Sequence, residues 1–117
     1  MRYSGIFLDK KSKGILFNKY IVPEGWKVFG DHMTIKLGGL PENLKSQIGK
    51  EFELTIDSIG VSDTNIAFGV KSNISKNKIP HITWAVDMSK GKPKDSNNIK
   101  KWRKITPFKV TGVLSEK

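Results

Sequence analysis

The chain contains two histidines, His32 and His81, and each begins the same short pattern of His, any residue, Thr and an apolar residue. The imidazole pKa near 6.5 lets a histidine accept or donate a proton around neutral pH. The hydroxyls of Thr34 and Thr83 are potential donors to a negatively charged oxygen. Such a pair suits displacement at phosphorus, in which one imidazole takes a proton from the attacking oxygen and the other protonates the leaving oxygen. The pattern therefore predicts these four residues as a site for phosphodiester chemistry.

Both motifs are predicted to lie on β-strands. In residues 32–37 and again in residues 81–87, apolar side chains alternate with polar ones. A period of two places successive side chains on opposite faces of a strand. Each histidine and its threonine therefore share the face directed away from the core. Trp84 belongs to the core face, and Phe29 is interpreted as core packing rather than as a base-stacking residue.

The remaining elements predict an α+β fold that is mostly antiparallel sheet. Alternating or β-branched stretches indicate further strands over residues 3–8, 51–61, 65–71 and 108–114. Short helices are predicted after Asp9, which is a good N-cap, and over residues 41–48. Residues 88–98 are predicted to form a loop and candidate lid, followed by one helical turn at 98–102. The length of 117 residues and the lack of a linker indicate a single domain spanning residues 1–117.

The charge of the chain is concentrated in one segment. The protein carries a formal net charge of +10, and residues 71–104 contribute ten basic residues against two acidic ones, a net +8. A concentrated positive field attracts polyanions and accelerates their association. This pattern favours a nucleotide or nucleic-acid ligand, although a lysine-rich face kept for solubility has the same composition.

The composition of the chain also excludes some kinds of functional site and indicates a cellular location. The chain has no cysteine, so it has no disulfide framework, thiolate nucleophile or cysteine-based zinc site. Neither histidine has a cluster of acidic residues beside it, and no metal or other cofactor is expected. No apolar stretch approaches the length of a signal peptide or a membrane span. We therefore expect a soluble, cytoplasmic protein with no membrane partner, and a monomer as its simplest state.

The paired motifs and their order resemble those of the two-histidine phosphoesterases, which include the LigT-like RNA 2′,3′-cyclic phosphodiesterases. Residues 3–9 are similar to the family's first strand and the start of its first helix. Residues 32–38 are similar to its first signature, and residues 80–83 to its second, including the preceding proline. Residues 108–114 are similar to its closing strand. The resemblance covers most of the chain.

The resemblance implies a bilobal fold in which two sheets, related by a pseudo-twofold axis, hold the two motifs across a central groove. It assigns His32, Thr34, His81 and Thr83 to catalysis. Only 49 positions separate the two histidines, so helical insertions of larger members are absent. This compactness is similar to small phage and bacterial members, among them enzymes that destroy cyclic-oligonucleotide signals.

Five further residues are candidates for substrate binding. Lys36 shares the predicted face of His32 and could meet a phosphate, although a solvated strand lysine fits the pattern equally. Tyr3 could stack on a base. Lys92, Ser96 and Asn97 lie in the predicted loop and could close over the ligand, although a flexible exposed loop is the alternative.

The leading function from the sequence is a metal-independent phosphodiesterase that cleaves RNA-type phosphodiester or 2′,3′-cyclic phosphate bonds. Its partners would be RNA ends, oligonucleotides or cyclic nucleotides. One alternative is the same chemistry on cyclic-oligonucleotide messengers, as in phage counter-defence. Another is a module that binds RNA or a nucleotide without turnover, and a third is a carrier or interaction protein. The sequence does not assign the acid and base roles between the histidines.

Overall fold

The computed structural model of the protein describes residues 3–20, 22–71 and 79–116. In chain order the elements are β1 (Tyr3–Leu8), α1 (Lys10–Lys19), β2 (Lys27–Val28), β3 (His32–Leu37), α2 (Glu42–Lys45), β4 (Glu51–Val61), β5 (Asn65–Lys71), β6 (His81–Val86), a 3₁₀ helix (Pro93–Asn98) and β7 (Lys101–Glu116). No helix in these ranges is long and apolar enough to cross a membrane.

Six of these strands form a closed antiparallel β-barrel. Their order is β6–β3–β1–β7–β4–β5, and β5 pairs again with β6 to close the ring. The short strand β2 also pairs with β6, ahead of β3 along the same edge. Closure leaves no free sheet edge within the six-stranded ring, which removes a template for pairing with another chain.

The barrel shows that the expected α+β fold with two lobes and a central groove is wrong. β6 pairs with β5 along one side and with β3 at Met33↔Ile82 along the other. The strands that carry the two motifs are therefore joined within one sheet, rather than facing each other from two sheets. The individual strands predicted from alternation are present, because local side-chain periodicity does not depend on how the sheet closes.

The longest ladder of the barrel joins β4 to β7. The helical turn predicted at residues 98–102 is wrong, because residues 101–104 are extended and pair with β4. The register shifts between the pairs Ile56↔Phe108 and Ser58↔Lys104. Pro107, which has no backbone N–H to donate, lies in the intervening stretch of β7. Such an irregularity bends a strand and increases its twist, which helps the sheet to curve into a barrel.

Helix α1 packs on the barrel through hydrogen bonds at its N-terminus and through apolar side chains along its length. Asp9 caps it by accepting a hydrogen bond from the backbone N–H of Ser12 at 2.8 Å, and the same carboxylate accepts one from the hydroxyl of Thr111 on β7. Leu16 is fully buried, and the ring of Phe17 packs edge-to-face with the core residue Trp84, with 5.0 Å between the ring centroids. The helix therefore covers the aromatic part of the core.

Candidate active site

The pairing of β3 with β6 brings the two His-x-Thr motifs onto one surface. The strands meet at Met33 and Ile82, whose side chains are fully buried. Because side chains alternate along a strand, the residues on either side of this pair point to the opposite face. The antiparallel register then places each histidine beside the threonine of the other motif, with the two histidines on a diagonal. A local two-fold relation about the Met33–Ile82 pair results.

The four motif residues line a single cavity of about 200 Å³. The lining residues are Phe29, Asp31, His32, Thr34, His81, Thr83, Pro93, Lys94 and Asn97. The strands provide the imidazoles and hydroxyls, and the 3₁₀ helix after β6 provides a cation and an amide on the opposite wall. Asp31 adds a carboxylate to the lining, and Lys13 pairs with it at 3.1 Å. The imidazoles, the hydroxyls, the amide and the charge of Lys94 are the groups suited to hold a small anion.

His81 is held in one orientation by the chain just before it. The side chain is only 7% exposed, and its Nδ1 lies 2.7 Å from the carbonyl oxygen of Ile79. A carbonyl oxygen only accepts, so Nδ1 carries the proton and donates it, which leaves Nε2 as the basic nitrogen of the neutral ring. Burial lowers the pKa of His81, and the hydrogen bond to Ile79 opposes that shift. The resting ring is therefore a neutral base.

His32 is held by aromatic rings instead. Its ring centroid lies 5.1 Å from that of Phe7 in a stacked arrangement and 5.1 Å from that of Tyr3. Burial lowers the pKa of His32, and the nearby charges of His81 and Lys13 lower it further, whereas the carboxylate of Asp31 raises it. Asp31 also forms an ion pair with Lys13 at 3.1 Å.

The electrostatic effect of His81 on His32 has a chemical consequence. The charge of His81 is one of the causes that lower the pKa of His32, after burial, so a proton on His81 disfavours one on His32. Between the two titration steps the site holds one protonated and one neutral ring. That state contains one acid and one base, which is the combination that a displacement at phosphorus requires.

A buried polar network lies behind Thr83. The hydroxyl of Thr83 donates to Ser96 Oγ at 3.0 Å, and the amide of Asn65 donates to the same oxygen at 3.1 Å and to the carbonyl of Lys92 at 3.0 Å. The Asn65 carbonyl oxygen accepts from the hydroxyl of Thr64. Asn65 is fully buried and Ser96 is 1% exposed. The network thus fixes both Thr83 and the 3₁₀ helix that carries the opposite wall of the cavity.

The five predicted substrate-binding residues have different positions. Asn97 lines the cavity, and Tyr3 contacts the ring of His32 rather than the cavity itself. Ser96 is not part of a mobile lid, because it is buried behind Thr83 and hydrogen-bonded to it. Lys36 and Lys92 are exposed and stand outside the residues described as lining the cavity.

Sequence reasoning missed four residues of the cavity: Phe29, Asp31, Pro93 and Lys94. Asp31 had a signal, because a carboxylate directly before a candidate acid/base histidine changes its pKa. Lys94 stands three positions before Asn97 and therefore shares its side of a 3₁₀ helix. The interpretation of Phe29 as core packing is wrong, because its side chain is half-buried and lines the cavity. Pro93 carried no such signal, because only the three-dimensional packing places it at the site. The prediction that Trp84 belongs to the core is confirmed, as it is fully buried.

Among residues 3–20, 22–71 and 79–116, no three His, Asp or Glu side chains group together as a candidate metal site. Comparison of the chain with protein-family models and with curated proteins finds no match. The resemblance to the two-histidine phosphoesterases therefore rests on the two motifs and their order along the chain.

Proposed function

We propose that the protein is a phosphodiesterase in which His32 and His81 act as an acid/base pair on an RNA-type phosphodiester or a 2′,3′-cyclic phosphate. The observation that supports this most directly is the Met33↔Ile82 pairing, since it directs both His-x-Thr motifs at one cavity. Either motif alone on a strand surface has no necessary function. Two of them around a cavity of about 200 Å³ provide every proton-transfer group that the reaction needs.

The surroundings of the two histidines suggest their roles. His81 presents a basic Nε2 because its Nδ1 donates to Ile79, so it would take the proton from the attacking water or ribose hydroxyl. Burial, with the charges of His81 and Lys13, lowers the pKa of His32 against the opposing effect of Asp31. A lowered pKa makes the protonated ring a stronger acid, so His32 would give a proton to the leaving oxygen. Each turnover then moves one proton in and one proton out, and the pair returns to its starting state when the protons exchange with solvent.

The phosphate oxygens would be held by donors around the cavity. Thr34 and Thr83 lie beside the opposite histidines, and Lys94 and Asn97 lie across from them. Thr83 must turn its hydroxyl from Ser96 toward the ligand in order to donate to it. Charge that builds on the non-bridging oxygens is stabilised by such preoriented donors. No step of this scheme requires a metal ion.

The test is a turnover screen of the purified protein in EDTA, with products separated by HPLC. The panel contains 2′,3′-cyclic nucleotides, 2′–5′ and 3′–5′ oligoribonucleotides, and cyclic dinucleotides. We expect turnover of at least one substrate, reduced by 10²-fold or more in His32→Asn and His81→Asn, consistent with the contribution of general acid–base catalysis.

A matched pair of threonine variants separates a site effect from a general one. Thr34→Val should impair turnover, whereas Thr106→Val, an exposed threonine of β7 outside the cavity, should not. The absence of turnover on the whole panel, or turnover unchanged in both histidine variants, would refute the proposal. Tight, salt-sensitive binding without product would instead indicate a binding module.

A further inference from the structure

Beside the histidine cavity, the indole of Trp102 lies flat on the outer face of the barrel. Trp102 pairs with Gly60 across β4 and β7. A Cβ atom at Gly60 would lie 2.7–2.8 Å from three atoms of the ring, and one at Gly69 would lie 3.3 Å from it. Similar distances to several ring atoms mean that Gly60 sits under the face of the indole. Gly60 therefore lets the ring lie against the sheet, which a larger residue there would prevent, whereas a Cβ at Gly69 would require only a small shift of the ring.

The position of this ring is fixed relative to the site. Its Nε1 donates to the carbonyl oxygen of Ile99 at 3.0 Å, and its centroid lies 6.3 Å from that of His81. One face rests on the glycines, and the side chain remains partly exposed. The outer face is thus an aromatic surface directly next to one of the proposed catalytic rings.

Positive charge surrounds the far side of Trp102. Lys100, Lys101, Arg103 and Lys104 are all exposed. Residues 100–103, with Ile59 and Val61, line a second cavity of about 410 Å³. Trp102 lines this second cavity and contacts His81, which lines the first. The indole therefore separates an acid/base site from a basic hollow.

We infer that Trp102 is a stacking platform for a nucleobase of a single-stranded RNA-type oligonucleotide. In this arrangement the phosphate to be cleaved lies between the histidines, the adjacent base stacks on the indole, and the neighbouring phosphates lie near Lys100 and Lys104, each two positions from Trp102. The inference rests on the proposed function for the position of the cleaved phosphate. An aromatic face flanked by cations is the combination that binds single strands with little sequence preference. The substrate is then an oligonucleotide, since a mononucleotide lacks the second phosphate.

Binding is measured with a 5′-fluorescein-labelled 2′-O-methyl hexanucleotide, which lacks the 2′-hydroxyl nucleophile, by fluorescence anisotropy. Trp102→Leu should weaken binding by between about five- and a hundredfold, the range expected for losing one stacked base. Trp102→Phe should retain most of the affinity. Phe17→Leu, which removes an aromatic ring that is 59% exposed on α1, should leave it unchanged. An abasic strand of the same length should bind wild type and Trp102→Leu equally.

Lysine variants test the second phosphate. Lys100→Ala combined with Lys104→Ala should reduce the slope of log affinity against log salt, whereas Lys50→Ala combined with Lys90→Ala should not. Thermal melting of each variant establishes that the fold is retained. Equal affinity of Trp102→Leu and wild type for the hexanucleotide would overturn the platform even if the turnover screen succeeds. A base-dependent loss of binding in a protein without turnover would support the platform and count against the phosphodiesterase.

Discussion

Replacing Asn65 by Ala should destabilise the protein and loosen one wall of the candidate site together. Asn65 is fully buried at the start of β5 and uses its whole amide group. Its nitrogen donates to Ser96 Oγ and to the carbonyl of Lys92, and its oxygen accepts from Thr64 at 2.6 Å. Truncation removes these three hydrogen bonds at once and puts no polar group in their place.

The size of the effect follows from what becomes of each partner. A typical hydrogen bond contributes about 1 kcal/mol net, and a buried group left without its partner costs more. Ser96 is buried, and among the described residues its Oγ would keep the hydrogen bond from Thr83, whereas Lys92 is exposed and Thr64 half-buried. We therefore expect a loss of about 2–3 kcal/mol in the free energy of unfolding. For a chain of this size that corresponds to a fall in Tm of roughly 8–15 °C.

Two measurements check this prediction. Thermal unfolding gives Tm for wild type, Asn65→Ala and Asn98→Ala, the last being an exposed asparagine of the same 3₁₀ helix that should change Tm little. Steady-state kinetics below the lower Tm should show a raised KM for Asn65→Ala, because Lys94 and Asn97 are no longer held against β5. A fall in Tm of less than about 2 °C would refute the reasoning that this network anchors the helix.

Three other predictions address the chemistry and the surface. The pH profile of kcat/KM should be bell-shaped with its maximum below pH 6.5, because burial lowers the pKa of both histidines. The kcat profile should lie at higher pH, since a bound phosphate anion raises both pKa values. A kcat/KM maximum above pH 7.5 would contradict this prediction. Lys94→Ala should raise KM about tenfold, because Lys94 lines the histidine cavity. Lys90 lies outside that cavity, so Lys90→Ala should leave KM unchanged. Equal kinetics of the two variants would show that Lys94 is not part of the site. Gly69→Ala should cost about 1–3 kcal/mol by denaturant unfolding, because its Cβ overlaps Ser58 Oγ, and adding Ser58→Ala should recover part of this loss.

The strands were predictable from the sequence because each carries its own alternation. The predicted bounds of β1, β3, β4 and β5 agree with the structure, and β6 ends one residue earlier than expected. Closure of the barrel was not predictable, since it depends on strand pairings between distant residues, among them Met33 and Ile82, which lie 49 positions apart. The helical turn expected at residues 98–102 is absent. Pairing with β4 overrides that local preference and extends β7 back to Lys101.

The candidate site likewise contains features that local sequence predicts and features that depend on tertiary contacts. Period two alone places each histidine and its threonine on one face, and this part of the prediction needed no tertiary structure. Asn97 was selected from its loop and does reach the cavity, but Ser96, selected on the same grounds, is buried behind Thr83. Neighbouring polar residues in a tight helical turn point in different directions, so composition cannot separate a residue that lines a site from one that supports it.

The two motifs share their histidine and threonine, so the asymmetry that the proposed chemistry requires must come from residues outside these positions. An acid and a base must differ in proton affinity before the substrate arrives, or half of the molecules bind it in the wrong protonation state. The hydrogen bond from His81 to Ile79 selects one tautomer without adding a charge, whereas Asp31 adds a negative charge beside His32. The two motifs are therefore related by the local two-fold axis in their backbone geometry, but their histidines have different electrostatic surroundings. On this argument the proposed direction of proton flow depends on the Asp31 side chain and on the backbone carbonyl of residue 79. Asp31→Asn should therefore change the proton affinity of His32, whereas a substitution of Ile79 leaves the acceptor of the His81 hydrogen bond in place.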